Sequence, residues 1–589
     1  MIICGVLVIL IFAAHAPALR ATFVWDDTAL ILRDPLIRSW RLIPEGFQRF
    51  LFVDATPSNF YRPVQRLSYT LEYWAFAFRP APYHLTNILL HAATAIALFI
   101  FALAFLRLYQ VDERKSLGVA AIASLAWALH PLHSGVVDYV AGRADSLAAL
   151  FGFTALYFTV RALDRESAWK FYAVTGFALL ASALSKESGL IFSALAIALI
   201  LLRKNWKGLV ATGVAIAFVL TIYVTLRNQV PPVAVPQLSP PAPALVRPII
   251  AARALAEYAG LLIAPANLHM DRDVENHPWG LNPVSLTAGA WRELQTLAGL
   301  ILFGVLLWWT CRAYKREPAI FALLLCAAIS YLPVCGLFSL NANIAEHWIY
   351  VPLAFVLLAI ALHVGQIVRG NRTTFFSIIA LATLWIAFLG VRTFCRAQDW
   401  QDPRTFFART IAAGGDSARM LINFGGLELS EGHLEQANML LQRALAKNPE
   451  QPFALINLAA VALKRNDLSA ARGFLERAQK NPVNLAQAEE MLAMVEQKEK
   501  GRINLLRLRL ASRTAPSSWS ITRRYLAALA VTGQTEKAVA ELRAVLATEW
   551  YRAESCQLLS EYLTRLGQTD EAAKALAQAH AFDVHLGDH

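Results

Sequence analysis

Apolar residues run in long blocks through the first two-thirds of the chain, then give way to short amphipathic segments. The blocks fall at roughly 2–19, 85–106, 117–133, 146–162, 170–185, 188–202, 208–226, 294–310, 319–338, 349–368 and 375–392. A membrane helix needs about 20 mostly apolar residues, so the pattern predicts eleven spans. The first block lacks a basic start and a small-residue cleavage site before Arg20, so it reads as a retained span. The stretch 251–266 is short and carries Arg253 and Glu257. It is predicted to be interfacial or re-entrant, without crossing.

Charge orients these spans. With the N-terminus inside, short inner loops hold Arg107, Arg114 and Lys115; Arg161, Arg165 and Lys170; Arg203, Lys204 and Lys207; Arg312, Lys315 and Arg316; and Arg369 with Arg372. Short outer loops hold little beyond Arg143 and Lys186. This is the positive-inside bias. Eleven crossings place everything after residue 393 outside, in a periplasm or an organelle lumen. The Pro-rich stretch 231–248 is predicted to be extended or irregular.

Residues 418–589 show a different period. Ala437 and Ala471 are 34 residues apart, as are Ala538 and Ala572, and a degenerate copy fits around 485–518. Gly425, Gly432, Ala444, Ala478, Gly533, Gly567 and Ala579 keep the same phase. Thirty-four is the tetratricopeptide period. Small residues let the two helices of a repeat approach closely, and about five repeats would stack into a short superhelix that binds a protein. The fold class is therefore all-α: a polytopic transmembrane bundle over 1–393, a linker over 394–417, and a tetratricopeptide solenoid over 418–589.

Composition sharpens the division. The chain of 589 residues is 57% hydrophobic and 16% charged, against about 25% charged for soluble domains. Residues 1–393 carry 30 Lys+Arg and 20 Asp+Glu, and residues 394–589 carry 24 and 22. The net +12 thus resides mainly in the membrane part, where orientation explains it without nucleic acid. The six cysteines show neither paired nor metal-ligand spacing.

Ionisable residues at a membrane edge are the informative ones. Trp25-Asp26-Asp27 follows the first span; its paired carboxylates suit a general base, and an N-cap is the structural alternative. The same outer loop holds Tyr61-Arg62-Pro63 and leads to His84, Asn87 and His91. His130 and His133 precede Asp138, Arg143 and Asp145. Two His three apart can ligate metal, but Pro131 intervenes and no matched third ligand is near, so Arg143 is read as holding an anion. Lys186 with Glu187 reads as an ion pair or a phosphate site. Glu346 and His347 open the tenth span, and Asp271 with Asp273 is a weaker candidate. No dinucleotide loop, phosphate loop or nucleophile elbow is found.

Taken together, these stretches resemble the polytopic membrane glycosyltransferases with tetratricopeptide tails, the transmembrane and tetratricopeptide-repeat O-mannosyltransferases of the lipid-linked-sugar GT-C class. The resemblance is carried by Phe23-Val24-Trp25-Asp26-Asp27, Tyr61-Arg62-Pro63-Val64, His84 to His91, His130 to His133 with Ala141-Gly142-Arg143-Ala144-Asp145, Ser185-Lys186-Glu187, and Trp400 with Asp402. It implies transfer of a sugar, usually mannose, from a polyprenyl-phosphate donor to Ser or Thr hydroxyls of exported proteins, with inversion. It maps the base onto Asp26 or Asp27. Phosphate-binding candidates are Arg143, Lys186, Arg62 and His91; further site candidates are His130, His133, Asp145, Glu187, Glu346 and His347. His347 departs from the Arg expected after Glu346.

No cofactor is required by this chemistry, no metal site is assigned, and a divalent ion stays open. The membrane is expected to be a bacterial inner membrane with the repeats periplasmic, or endoplasmic reticulum in a eukaryote. The alternatives are another lipid-linked glycan transfer, such as an oligosaccharide ligase or glycolipid glycosyltransferase, and a non-enzymatic repeat-bearing membrane scaffold.

Overall fold

The computed structural model describes residues 1–54, 58–165, 168–233, 243–274, 283–338, 340, 342–367 and 372–587. Among them every regular element is helical. Arg369 and half of the Pro-rich stretch 231–248, residues 234–242, lie outside the described residues.

All eleven apolar blocks are helical, but the count of eleven spans does not stand. Among the described residues, seven helices are long and apolar enough to cross: Ile2–Arg20, Pro80–Leu108, Val140–Leu163, Trp206–Asn228, Ala290–Arg316, Glu346–Ile367 and Thr373–Trp400. An eighth is a broken pair, Glu113–Ala128 with Pro131–Val137, bent by 53°. Pro131 supplies no N–H and starts a new turn there. The other blocks are shorter. Trp169–Ser185 has 17 residues, about 25 Å at 1.5 Å per residue, against about 30 Å of hydrocarbon. Lys186-Glu187 cuts it from Glu187–Leu202, and Pro318–Val334 is likewise short. All three still pack within the bundle.

The bundle core is aliphatic and aromatic. Phe101, Phe105, Trp127, Phe153 and Phe355 interlock at its centre, all buried. The last membrane helix packs against the first helix through Leu389 and Ala14, with Phe376, Leu381, Leu384 and Val391 exposed. Helix Arg247–Ile263 packs along Pro283–Arg316 and is not among the spanning helices.

The C-terminal region forms five helix pairs, from Ala418–Ser430 with Leu434–Lys447 to Ala553–Arg565 with Thr569–Phe582. The phase-keeping alanines sit where paired helices cross: Ala437, Ala471 and Ala538 are buried completely. A methyl on Gly425 would meet the Leu441 side chain at 2.8 Å. Gly432, Gly533 and Gly567 take the left-handed conformation between paired helices, and Asn466 holds the same place in the second repeat. Asn tolerates that conformation better than most residues.

Residues 394–417 are not a linker. They continue the last membrane helix to Ala397, turn over Gln398–Trp400 and form the helix Pro403–Ala412. Trp400, Phe406 and Phe407 are buried, in one cluster with Val24, Tyr139 and the first repeats. Burial of three aromatic rings fixes the junction. The far end of the array is fastened as well. Arg38 bonds to Asp583, Tyr73 donates to Asp583 at 2.7 Å, and Ser39 donates to the Ala581 carbonyl at 2.9 Å. Leu36, Leu42, Tyr551 and Phe582 form a small core there. Both ends of the array thus rest on the first outer loop.

Candidate functional site

The first outer loop begins where helix Ile2–His15 ends, and Asp26 and Asp27 lie at its first turn. Trp25 takes a positive φ of 48°, which an aromatic side chain adopts only when its surroundings hold it. They do so here. Its ring lies 6.3 Å from Tyr139 and 5.7 Å from Phe406, with the Arg419 guanidinium 5.2 Å over it.

The two carboxylates have different surroundings. Asp27 is fully buried. Its Oδ2 accepts from the Val24 amide at 3.0 Å and its Oδ1 from the Ala141 amide at 2.7 Å. Burial pushes its carboxyl up to about 8, with the neighbouring Asp26 charge adding and the two amides and Arg143 opposing. Asp27 therefore ties the first outer loop to the 138–142 turn. Asp26 is half-buried, and its amide donates to the Tyr139 hydroxyl at 3.1 Å. Burial raises its carboxyl above the ordinary value; Tyr139, Arg419 and Arg62 act the other way. Of the pair, Asp26 is the less buried residue.

Arg62, Asp145, Lys186, Glu187 and His347 converge beside it. Lys186 Nζ donates to both Asp145 oxygens at 2.7 Å. Arg62 Nε donates to Glu187 at 3.0 Å, and the Tyr61 amide donates to the same carboxylate at 2.7 Å. Arg62 acts electrostatically on Asp26, Lys186 and His347 alike. The group is a half-buried strip of alternating charge. Cations held on carboxylates in this way can exchange them for phosphate oxygens, and Asp26 lies within electrostatic reach of Arg62.

Other expected site residues lie elsewhere. Arg143 is fully buried and donates to Asn87, Ser68, both Glu72 oxygens and the Tyr83 carbonyl. A guanidinium has five N–H groups, and all are used, so Arg143 is not available to a donor phosphate. His91 is also withdrawn: its ring nitrogens bond to Tyr350 and to the Ala128 carbonyl, at 2.7 and 2.9 Å. His130 bonds to the Leu262 carbonyl, and His133 is buried against Trp127 and Tyr350. Glu346 is buried and accepts from the His269 amide and Arg272. It belongs to an internal ion-pair network, whereas the adjacent His347 faces the strip.

Three participants escaped the sequence reading. Tyr139 lies two residues before Ala141 in a stretch already singled out, yet nothing in spacing shows that its hydroxyl meets Asp26. Glu72 neutralises Arg143 from the middle of helix Pro63–Phe76. Arg419 comes from the first repeat helix and also bonds to Asp271 at 2.9 Å, a contact no local pattern encodes. The described residues include one group with metal-ligand spacing, Glu428, Glu431 and His433. It is already matched by Arg404 and is not part of this strip.

A helical membrane bundle with paired carboxylates and an adjoining strip of charge at the helix ends, and a repeat array docked over the loop after its first helix, defines a class of membrane protein. Sequence comparison places the chain beside particular proteins. The tetratricopeptide-repeat family profile matches residues 428–495. Protein O-mannosyl-transferase F38B6.6 of Caenorhabditis elegans is 25% identical over 463 residues, spanning 75% of this chain and 62% of that protein. Protein O-mannosyl-transferase TMTC3 of Homo sapiens is 25% identical over 488 residues, spanning 76% and 51%. Protein O-mannosyl-transferase Tmtc1 of Drosophila melanogaster is 32% identical over 187 residues, spanning 31% and 20%. The chain spans roughly half the length of the curated relatives it matches. It is thus similar to the TMTC proteins, in line with the resemblance its motifs carry, and it bears tetratricopeptide repeats.

Proposed function

We propose that this protein is a membrane glycosyltransferase that moves a mannosyl group from a polyprenyl-phosphate donor to Ser or Thr hydroxyls of proteins on the non-cytosolic side of its membrane. The observation that supports the reading most directly is the placement of Asp26, the less buried of the two carboxylates, within electrostatic reach of Arg62, which in turn acts on Lys186. The names of the relatives agree with a protein acceptor.

In this reading the acceptor hydroxyl oxygen attacks the anomeric carbon from the face opposite the phosphate. Its proton passes to the Asp26 carboxylate. The carbon–oxygen bond to phosphate breaks, and its electron pair leaves on the polyprenyl phosphate. Opposite-face attack inverts the anomeric configuration, by the geometric logic of inverting glycosidases. Arg62 and Lys186 stabilise charge developing on the phosphate, which already leaves well without a general acid. Asp145 and Glu187 hold the cations in place before donor binding. The lipid tail stays in the bilayer, which explains why the site is built at the ends of membrane helices. Animal relatives make endoplasmic reticulum a fitting compartment, and a bacterial inner membrane would present the same outer face.

The test is incubation of purified protein with polyprenyl-phosphate mannose and a Ser/Thr peptide, read by mass. A hexose increment lost on Asp26→Asn supports the reading. No increment on any peptide, with mannose instead appearing on a glycan or lipid acceptor, overturns the protein-acceptor reading.

A further inference from the structure

Asp271, which the proposed reaction leaves unused, joins the repeat array to the Asp26 turn. Its carboxylate is only 10% exposed. Both of its oxygens accept from the start of the array: from the Ser417 amide at 3.2 Å and from the Arg419 guanidinium at 2.9 Å. The segment that carries Asp271 is itself fixed. The His269 amide and Arg272 both donate to the buried Glu346, and Arg272 also donates to Glu257 at 2.7 Å. Gly415 lets the chain entering the array pass this segment closely, since an added methyl would meet His269 Nδ1 at 2.7 Å. Arg419 is therefore aimed by a fixed support.

Its aim is onto Trp25. The guanidinium carbon lies 5.2 Å over the Trp25 ring, within cation–π range. Trp25 has a positive φ of 48°, which costs energy for a bulky residue and persists only where its surroundings enforce it. Two of those surroundings, Tyr139 and Phe406, are stacked with Trp400. Arg419 is the contact that the repeats supply. Relaxation of φ at Trp25 would re-aim the next residue, Asp26, whose amide meets the Tyr139 hydroxyl at 3.1 Å.

Charge points the same way. The groups acting on the Asp26 carboxyl are Tyr139, Arg419, Arg62 and the neighbouring Asp27. Arg62 is shared with Glu187 and Arg419 with Asp271, so each cation serves two carboxylates.

We propose that Arg419 is a positioning residue of the transferase site, supplied by the repeat array: held by Asp271, it fixes Trp25 and, through Trp25, the Asp26 carboxylate. The array is then part of the reacting site as well as a surface for proteins, and transfer needs its first turn in place. The role in transfer rests on Asp26 being the base. The hold on Trp25 rests on geometry alone.

The experiment compares full-length wild type, Arg419→Gln, Arg419→Lys and Asp271→Asn in two measurements. The first is amide exchange, which needs no turnover. In Arg419→Gln, exchange should rise about fivefold across residues 24–30, the scale of losing one cation–π contact, and stay unchanged across Leu434–Lys447. Arg419→Lys should stay near wild type. The second is hexose transfer from polyprenyl-phosphate mannose to a Ser/Thr peptide, followed against pH. Arg419→Gln should lower kcat about 10–10²-fold, the scale of misplacing a reacting group by ~1 Å, with the donor KM unchanged. Its acid limb should move to higher pH, because losing a nearby cation raises a carboxyl. Arg419→Lys should recover the limb and most of the rate, and Asp271→Asn should fall between.

Wild-type exchange across 24–30 in Arg419→Gln would overturn the hold on Trp25. A kcat loss with an unmoved acid limb, or with faster exchange through Leu434–Lys447 as well, would mark a role in folding alone and overturn the positioning role. If Asp26→Asn keeps full activity while Arg419→Gln still loosens 24–30, the reaction reading fails and the hold on Trp25 stands.

Discussion

Lys186 holds its ammonium 2.7 Å from both carboxylate oxygens of Asp145. The pair joins the turn after helix Trp169–Ser185 to the first turn of helix Arg143–Leu163, and it is only 13–14% exposed. In the proposed reaction this pair holds the ammonium in place for the donor phosphate. Lys186→Ala is expected to lower kcat/KM for the lipid donor about 10²-fold, the scale seen when one charge-stabilising donor is removed. Lys186→Arg should restore part of it. Steady-state kinetics with a varied lipid donor checks this, and an unchanged kcat/KM would remove Lys186 from the site.

Arg143 gives the opposite expectation. Its five donors are consumed by protein acceptors, so Arg143→Ala should act on folding. Breaking a buried pair by removing one partner costs about 3–5 kcal/mol. The variant should fall in membrane abundance, and adding Glu72→Gln should recover some of it by removing the stranded carboxylate. Quantitative blotting with thermal unfolding measures both. A stable Arg143→Ala protein with a raised donor KM would return Arg143 to phosphate binding.

Asp27 predicts a pH dependence of stability. Its folded carboxyl is raised from 3.8 to about 8, so folding favours the protonated form. This contribution is fully present below the unfolded value and is lost as pH rises through about 8. Wild-type protein should lose unfolding midpoint between about pH 5 and 8 more steeply than Asp27→Asn. Parallel slopes for the two would contradict the assignment.

The array's far end should open independently. Asp583 accepts from Tyr73 and Arg38, and hydrogen bonds to a charged group contribute about 1.5–3 kcal/mol. In Asp583→Asn, amide exchange should rise across Thr569–Phe582 and stay unchanged in Ala418–Ser430, which is secured by Phe407 against Phe424. Equal protection in both proteins would show that the small core around Tyr551 and Phe582 suffices.

Local periodicity and composition carried much of this architecture. The apolar blocks, the 34-residue phase and the drop in charge density are local properties, and each led to the correct kind of element. Span count failed where length alone decides: Trp169–Ser185 and Pro318–Tyr331 are apolar enough to look like spans yet fall short of the bilayer. Residues 394–417 misled because Trp400 and Phe406 are too few to form a block, although they bury completely. The site was legible as a set of motifs and not as a geometry. Asp26 and Asp27 are adjacent and identical in type, and what distinguishes them, full burial of Asp27 on the Val24 amide and on the Ala141 amide over a hundred residues away, is not local. Arg143 and Lys186 looked alike as outer-face cations, until Glu72 was found to occupy one and Asp145 to hold the other at the strip.

The central claim is that Asp26 accepts the acceptor proton, and substitution at that position tests it most directly. In purified full chain with polyprenyl-phosphate mannose and a Ser/Thr peptide, Asp26→Asn should reduce transfer by about 10²–10⁴-fold at normal abundance. The wild-type rate should fall on the acid side with a midpoint above the ordinary 3.8, in the direction burial pushes this carboxyl. Full activity in Asp26→Asn, with an unchanged acid limb, would contradict the account.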